Sequence, residues 1–368
     1  MQPLTRVVAV LAAALSSSAA AFQFGVNTRH DPALNAEVAE LMRQRNFTSA
    51  RMDLIWDRDV SALRDQATRI RAHAGNVQVV LQTSYQWDER CNQDRVLVEQ
   101  EAYRQAAGAI HKVKDVVHDF ELLNEPQHRR DIRAEVSWNS ARTSTASYEG
   151  KPCLATLAAA LRGMSRALSD IREQSGLPLR SILGVVGRDF GYLSFMRKQG
   201  VRWDVTGYHI YPHASQPSLL NDPWYGPGGP LAQLASFGKP VHINEFNCGE
   251  IYDAEYENQA GGRSTETCLR GLARHLGELR SQNVANIEAV HLYMLHDEPH
   301  KEPPENRFGL THDVRRPKLH LAVVASFTGG ALSEQEREEL ARRGLLVQAG
   351  PRGGDKSPVK VGGSSRSR

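Results

Sequence analysis

Two short stretches of the chain place a carboxylate at the end of an apolar run. One is "DFELLNEPQ" (119–127), which stops on Asn124, Glu125 and Pro126. The other is "VHINEFN" (241–247), which stops on Asn244 and Glu245. A buried carboxylate is costly unless something uses its charge or its proton. Two carboxylates facing each other across a cleft are suited to one chemistry in particular. One, protonated, assists a leaving oxygen; the other, ionised, attacks an anomeric carbon or activates water. Either glutamate alone reads equally well as a solvated strand end. The pair, each preceded by Asn, is harder to dismiss.

The elements that must position them are visible along the 368 residues. Eight apolar runs recur at 22–30, 48–56, 77–84, 119–126, 181–189, 204–213, 240–247 and 287–297, most of them followed by a helical pattern. Strands alternating with helices imply βαβ units and a parallel sheet. Eight repeats point to a (β/α)8 TIM barrel in a single α/β domain over residues 22–330. A doubly wound open sheet also alternates, but it wants a Gly-rich turn after the first strand, and none is present. In a barrel Glu125 ends strand four and Glu245 strand seven, on opposite sides of the mouth. Long irregular insertions follow strand four (136–153) and strand six (211–230), and long loops in a compact domain are usually functional. Asp31 and Pro32 read as the cap and first position of the first helix, and Gly176 with Pro178 as the stop of a long one.

The ends of the chain read differently. Arg6, an apolar stretch from Val7 to Leu15 and Ala19 to Ala21 form a secretory signal pattern over residues 1–21. Residues 331–350 are expected to form a short C-terminal helical extension. Residues 351–368 are rich in Gly, Ser, Lys and Arg and are expected to be disordered. The formal charge of +3 is carried by Arg6 and this tail, so the body has no electrostatic footprint for nucleic acid. No segment is long enough to span a membrane. The four cysteines, Cys91, Cys153, Cys248 and Cys268, are an even number in a chain with a secretory pattern, and their spacings match no zinc motif.

Taken together, "LLNEP", "INEFN", "YHIYPH" on strand six and "RMD" on strand two resemble the active-site strands of clan A retaining glycoside hydrolases. The likeness is to family 39 and family 5 members, some of them exopolysaccharide-degrading, and covers residues 22–328. The resemblance implies Glu125 as acid/base, Glu245 as nucleophile and Asn124 as partner of the sugar 2-hydroxyl. It places His209 and Tyr211 in the site, the tyrosine hydroxyl donating toward the nucleophile; without it, a core His–Tyr pair fits equally. Arg51 ends a strand among apolar neighbours and needs a carboxylate. Glu245 is the expected one, held ionised by the pairing, with a surface pair to Asp53 as the alternative.

One departure is plain. Clan A members usually carry a tryptophan at the end of strand eight, where this chain reads "LYMLHDEPH" with Tyr293, His296, Asp297 and Glu298. His296 is assigned to substrate binding, and the acids are expected to reach polar or amino-sugar groups. Aromatic platforms for sugar faces are sought in Trp56, Trp87, Tyr85, Trp138, Trp224 and Tyr225. With barrel positions assigned, Cys91 and Cys153 become neighbours above strands three and four, and Cys248 and Cys268 bracket one loop after strand seven. The expected disulfides are therefore 91–153 and 248–268. The reading is a secreted or periplasmic monomer acting on a β-linked polysaccharide or oligosaccharide, with endo cleavage expected and with no cofactor and no metal. A non-catalytic carbohydrate-binding barrel and a transglycosylase using the same residues are the rivals.

Overall fold

The computed structural model describes residues 22–73, 75–86, 91–136, 144–216, 218–253, 256 and 263–347. The signal pattern, Trp87, Trp138 and the basic tail lie outside them. Eight parallel strands close a barrel in sequence order: β1 (Gln23–Asn27), β2 (Ser49–Ile55), β3 (Asn76–Gln82), β4 (Asp119–Leu122), β5 (Arg180–Val186), β6 (Val205–Ile210), β7 (Val241–Phe246) and β8 (Ile287–Leu292). β8 returns to β1 in register Phe24 with Val290, which closes the ring. The fold is a (β/α)8 barrel.

The outer layer is α1 (Asn35–Gln44), α2 (Ser61–Ala72), α3 (Arg95–His111), α4 (Arg130–Glu135), α5 (Pro152–Ser175), α6 (Phe190–Lys198), α7 (Gly229–Ala235), α8 (Arg263–Ser281) and α9 (Leu319–Thr328). The first helix begins later than its Asp-Pro signal predicts. Asp31 closes a turn instead, its Oδ1 accepting from the Ala33 amide at 2.9 Å. α5 does stop at Gly176, which takes the left-handed conformation at φ 67°. α3 and α5 pack closely because Gly163 lies against the α3 backbone, where a Cβ would sit 2.2 Å from the Glu99 carbonyl oxygen. Beyond the barrel, α10 (Glu334–Arg343) opens with a capping box between Ser333 and Glu336. It is tied to the barrel by the Arg45–Glu336 ion pair at 2.8 Å and by buried Leu340.

The main apolar core lies between strands and helices. The inside of the barrel is different. TIM barrels usually fill it with branched aliphatic side chains. Here Asn27, Ser49, Arg51, Gln78, Glu121, His209, His242, Asn244, Glu245 and His291 are all buried polar residues of the strands. Glycine makes room for them: a Cβ on Gly207 would lie 2.5 Å from Asn244 Nδ2.

Candidate active site

The chemistry collects at the C-terminal mouth of the barrel, and local backbone irregularity puts it there. On β7, His242 pairs in register with Gly207, whereas Glu245 pairs with His209. Two steps on β6 are thus matched by three on β7, a bulge that absorbs one residue. Strict alternation from His242 would send Glu245 out of the barrel; the bulge re-aims it inward. Just beyond β4, Leu123 and Glu125 take positive φ values of 66° and 42°. Non-glycine residues rarely adopt this region, and holding it costs on the order of 1 kcal/mol or more at each position. Pro126 then opens a short turn whose His128 amide donates to the Glu125 carbonyl at 2.8 Å.

These devices bring the two glutamates together. A carboxylate oxygen of Glu125, one of Glu245 and a ring nitrogen of His209 all lie within 4.8 Å of one another. His209 Nδ1 is 2.8 Å from Glu125 Oε1 and 3.4 Å from Glu245 Oε2. The Tyr211 hydroxyl donates to Glu245 Oε2 at 2.7 Å. Arg51 donates from Nη1 to Glu245 Oε1 at 2.9 Å and from Nη2 to Asn124 Oδ1 at 2.7 Å. Its alternative partner Asp53 is instead held by Gln82 at 2.7 Å.

Glu121, absent from the sequence-derived site, is central to this network. It is fully buried and takes Arg51 Nε at 2.6 Å and Nη2 at 3.1 Å. Gln78 Nε2 donates to it at 3.0 Å, and His209 Nε2 lies 3.3 Å away. Asn27 Oδ1 accepts from Arg51 Nη1 at 2.6 Å. The signal was available: Glu121 is an acid inside an apolar strand, subject to the same argument as Glu125.

This sharing alters the charge balance expected for Glu245. Burial pushes its carboxyl above the ordinary range, and the Glu125 charge adds to that, against the pull of His209 and Arg51. Arg51 does pull it down, as the sequence reading expects, but burial outweighs that pull and the net shift is upward. Glu121 itself is held well below the ordinary range: burial works against ionisation, but Arg51 and His209 outweigh it. Glu125 is also lowered, burial being overcome by the His209 hydrogen bond and charge. His209 is buried, which disfavours its cation, yet Glu245, Glu121 and Glu125 push it up to about 10. With two carboxyls so close, one of them buried and one half-buried, the proton belongs to the pair and not to one residue.

Other predicted residues are dispersed. His296 is half-buried and bonds Thr311 Oγ1 at 2.7 Å. Trp56 packs half-buried against the main core, its carbonyl accepting from Lys112 at 3.3 Å. Neither has a contact with the carboxylates among the described residues. Tyr85 and Tyr225 are buried, whereas Trp224 is 54% exposed. Asp297 and Glu298 are committed to ion pairs, with Lys318 and Lys301 each at 2.7 Å, and do not stand open to a sugar. Beside Glu245 an aromatic wall forms from Tyr211, Tyr252, Tyr293 and Phe308, with ring centroids 5.3–6.3 Å apart. Tyr252, which the sequence did not single out, is 49% exposed there. The disulfides are Cys91–Cys153 and Cys248–Cys268, and the second anchors the small apolar cluster under this wall.

Among the described residues two groups have metal-ligand proximity: Glu125 with His209 and Glu245, and Cys91 with Asp131 and Cys153. Neither fits an ion well. In the first the Arg51 and His209 cations already face the carboxylates, and in the second both sulfurs are tied in a disulfide. A concavity of about 620 Å3 lies elsewhere, lined by Ser181, Trp203, Asp204 and Lys239 at the opposite end of the strands. The carboxylate geometry, not this hollow, marks the site.

No protein-family model matches the chain, and no curated protein matches it in sequence. Solved structures do match in fold. A glucosidase from Croceicoccus marinus superposes with a TM-score of 0.54 at 12% identity, over 84% of this chain and 70% of that one. An endo-1,4-beta-xylanase from Caldicellulosiruptor owensensis gives 0.56 at 12% identity, over 83% and 96%. A beta-glucosidase from Exiguobacterium marinum gives 0.56 at 11% identity, over 84% and 98%. At such identities the likeness defines the barrel fold. No helix among the described residues is long and apolar enough to cross a membrane.

Proposed function

We propose that the protein is a secreted retaining glycoside hydrolase that cleaves a β-linked polysaccharide, an exopolysaccharide being the favoured kind, by double displacement. The observation that carries this reading is the proximity of Glu125 and Glu245, with carboxylate oxygens within 4.8 Å. Retaining glycosidases hold the two carboxyls about 5–5.5 Å apart, whereas inverting ones leave about 6.5–9.5 Å for a water. Secretion is supported by the N-terminal pattern and by two disulfides. The half-exposed Tyr252 and Trp224 on the mouth side support a chain-binding cleft and endo cleavage.

In this reading a Glu245 oxygen attacks the anomeric carbon while Glu125 delivers a proton to the departing glycosidic oxygen. A water then attacks the glycosyl–Glu245 ester, and Glu125 takes the proton from it. The first step needs Glu125 protonated and Glu245 ionised. His209 supplies that state. Transfer of its Nδ1 proton across the 2.8 Å contact to Glu125 Oε1 leaves a neutral imidazole that keeps its Nε2 proton toward Glu121. Total charge is unchanged. Arg51 and the Tyr211 hydroxyl then steady the ionised Glu245, and Asn124, held by Arg51, is assigned to the sugar 2-hydroxyl.

The test is hydrolysis of a panel of β-linked polysaccharides by the purified protein beside Glu125→Gln and Glu245→Gln. Loss of activity in both variants with unchanged circular dichroism supports the reading. Near-normal activity in both removes it. Product analysis with added acceptor sugars separates hydrolysis from transglycosylation.

A further inference from the structure

On the β5–β6 side of the mouth, Arg188 follows β5 and lies over the ring of Trp224, its guanidinium carbon 4.3 Å from the ring centroid. Trp224 belongs to a short turn in the long loop after β6 and is 54% exposed. Tyr225, the next residue, turns inward and is buried.

Arg188 differs from the other arginines at the mouth. Arg51 and Arg129 each hold a carboxylate. Among the described residues no carboxylate lies within ion-pairing distance of Arg188, and its Nε is buried without a hydrogen-bond partner. The nearby acids are engaged elsewhere. Asp222 caps the Trp224 turn, its Oδ1 accepting from the Trp224 amide at 2.9 Å. Asp189 lies 3.8 Å from His128, which is 3.5 Å from Glu125. That relay fixes the place of Arg188: it is the residue next to one that is two contacts from Glu125. Buried donors without partners are rare, and each asks for an explanation.

We infer that Arg188 and Trp224 form a subsite on the Glu125 side of the cleft that selects a carboxylate-bearing sugar, a uronic acid, in the polysaccharide chain. The indole offers an apolar face for a sugar ring. The guanidinium is a planar fork that meets a carboxylate with two parallel hydrogen bonds and stacks on aromatic rings at the same time. Stacking on Trp224 holds it in one plane without neutralising it. A uronate would bring the carboxylate that this guanidinium lacks among the described residues; a neutral sugar would not. The inference names the substrate class for the hydrolase reading and rests on the mouth being a carbohydrate cleft.

Binding is measured by calorimetry on the Glu245→Gln protein, so turnover plays no part. The ligands are β-linked oligosaccharides containing glucuronate, mannuronate or galacturonate, each beside its carboxyl-reduced neutral counterpart. At least one acidic ligand should bind about tenfold tighter than its neutral twin, as one charged hydrogen-bonded pair provides. Adding Arg188→Gln should abolish that preference and leave the neutral ligand's affinity unchanged, while Trp224→Ala weakens both. If no acidic ligand outbinds its reduced partner, or Arg188→Gln weakens acidic and neutral ligands alike, the inference is wrong. A protein that shows the preference yet hydrolyses nothing would sink the hydrolase reading and leave this subsite standing.

Discussion

At the floor of the barrel, where the strands begin, Arg180 donates to Asp119 at 2.7 and 3.0 Å and to Glu288 at 2.7 Å. At the mouth, where they end, Arg51 reaches Glu121 and Glu245, and His209 reaches Glu121, Glu125 and Glu245. Both ends thus hold buried carboxylates against an arginine and a histidine. The outcome differs. Floor carboxyls are held below their ordinary range: Asp119 by Arg180 against its burial, and Glu288 by His242 and Arg180. At the mouth three carboxylates share Arg51 and His209, and Glu245 is pushed up. An end with enough cations keeps every acid ionised and only stabilises. An end with one carboxylate too many has a proton to move.

Variants can break this contrast. If the proposed function holds, the largest effect belongs to Glu245→Gln, expected to lower hydrolysis by roughly 10⁴-fold or more with the fold retained, since the proposed nucleophile would act as part of a unit. Turnover and circular dichroism check it. Next is Arg51→Met, which leaves Glu121 and Glu245 buried without their cation. Breaking such a pair costs about 3–5 kcal/mol, read from denaturant unfolding, and activity should vanish with it. Arg180→Met at the floor should cost roughly 1–3 kcal/mol, because Arg180 is a third exposed and water screens part of the loss. Its activity per folded molecule should be unchanged. If Arg180→Met abolishes activity at full folding, the two ends are not distinct.

The pH response sharpens the same point. His209 is raised in the folded state, so its stabilisation is complete below an unfolded value near 6.5 and fades as pH rises through about 10. Thermal melting should therefore lose stability between those values, and His209→Gln should flatten that limb. The floor acids are depressed, so they stabilise at neutral pH and their contribution is lost only as pH falls through their folded values. The smallest expected effect is Tyr252→Ala, which removes an exposed ring beside the carboxylates. It should raise KM by about three- to tenfold, the worth of one aromatic contact, with kcat little changed.

Much of this was legible in the sequence, for identifiable reasons. Apolar runs with a helical pattern between them give eight strands, and the strand-ending glutamates follow from the cost of burying an acid. Cys91–Cys153 and Cys248–Cys268 followed from strand positions. The inward turn of Glu245 was not legible, because His242 and Glu245 share the barrel interior only through a bulge that leaves no mark in "HINEF". Nor were the left-handed conformations of Leu123 and Glu125, residues that seldom adopt them. Glu121 was readable as an acid inside an apolar strand, but strand ends alone do not point to it, because the network runs down inside the barrel. Tyr252 sits in a loop whose path depends on the disulfide and on Phe308, and no periodicity marks it.

The pairing of Glu125 and Glu245 is most directly tested by trapping. The protein is incubated with an activated 2-deoxy-2-fluoro β-glycoside and digested, and the labelled peptide is found by mass spectrometry. A glycosyl ester on Glu245, formed with burst release of the leaving group and slowed in Glu125→Gln, is the predicted result. A label on another residue, or turnover without any adduct and with inverted product, would contradict the account.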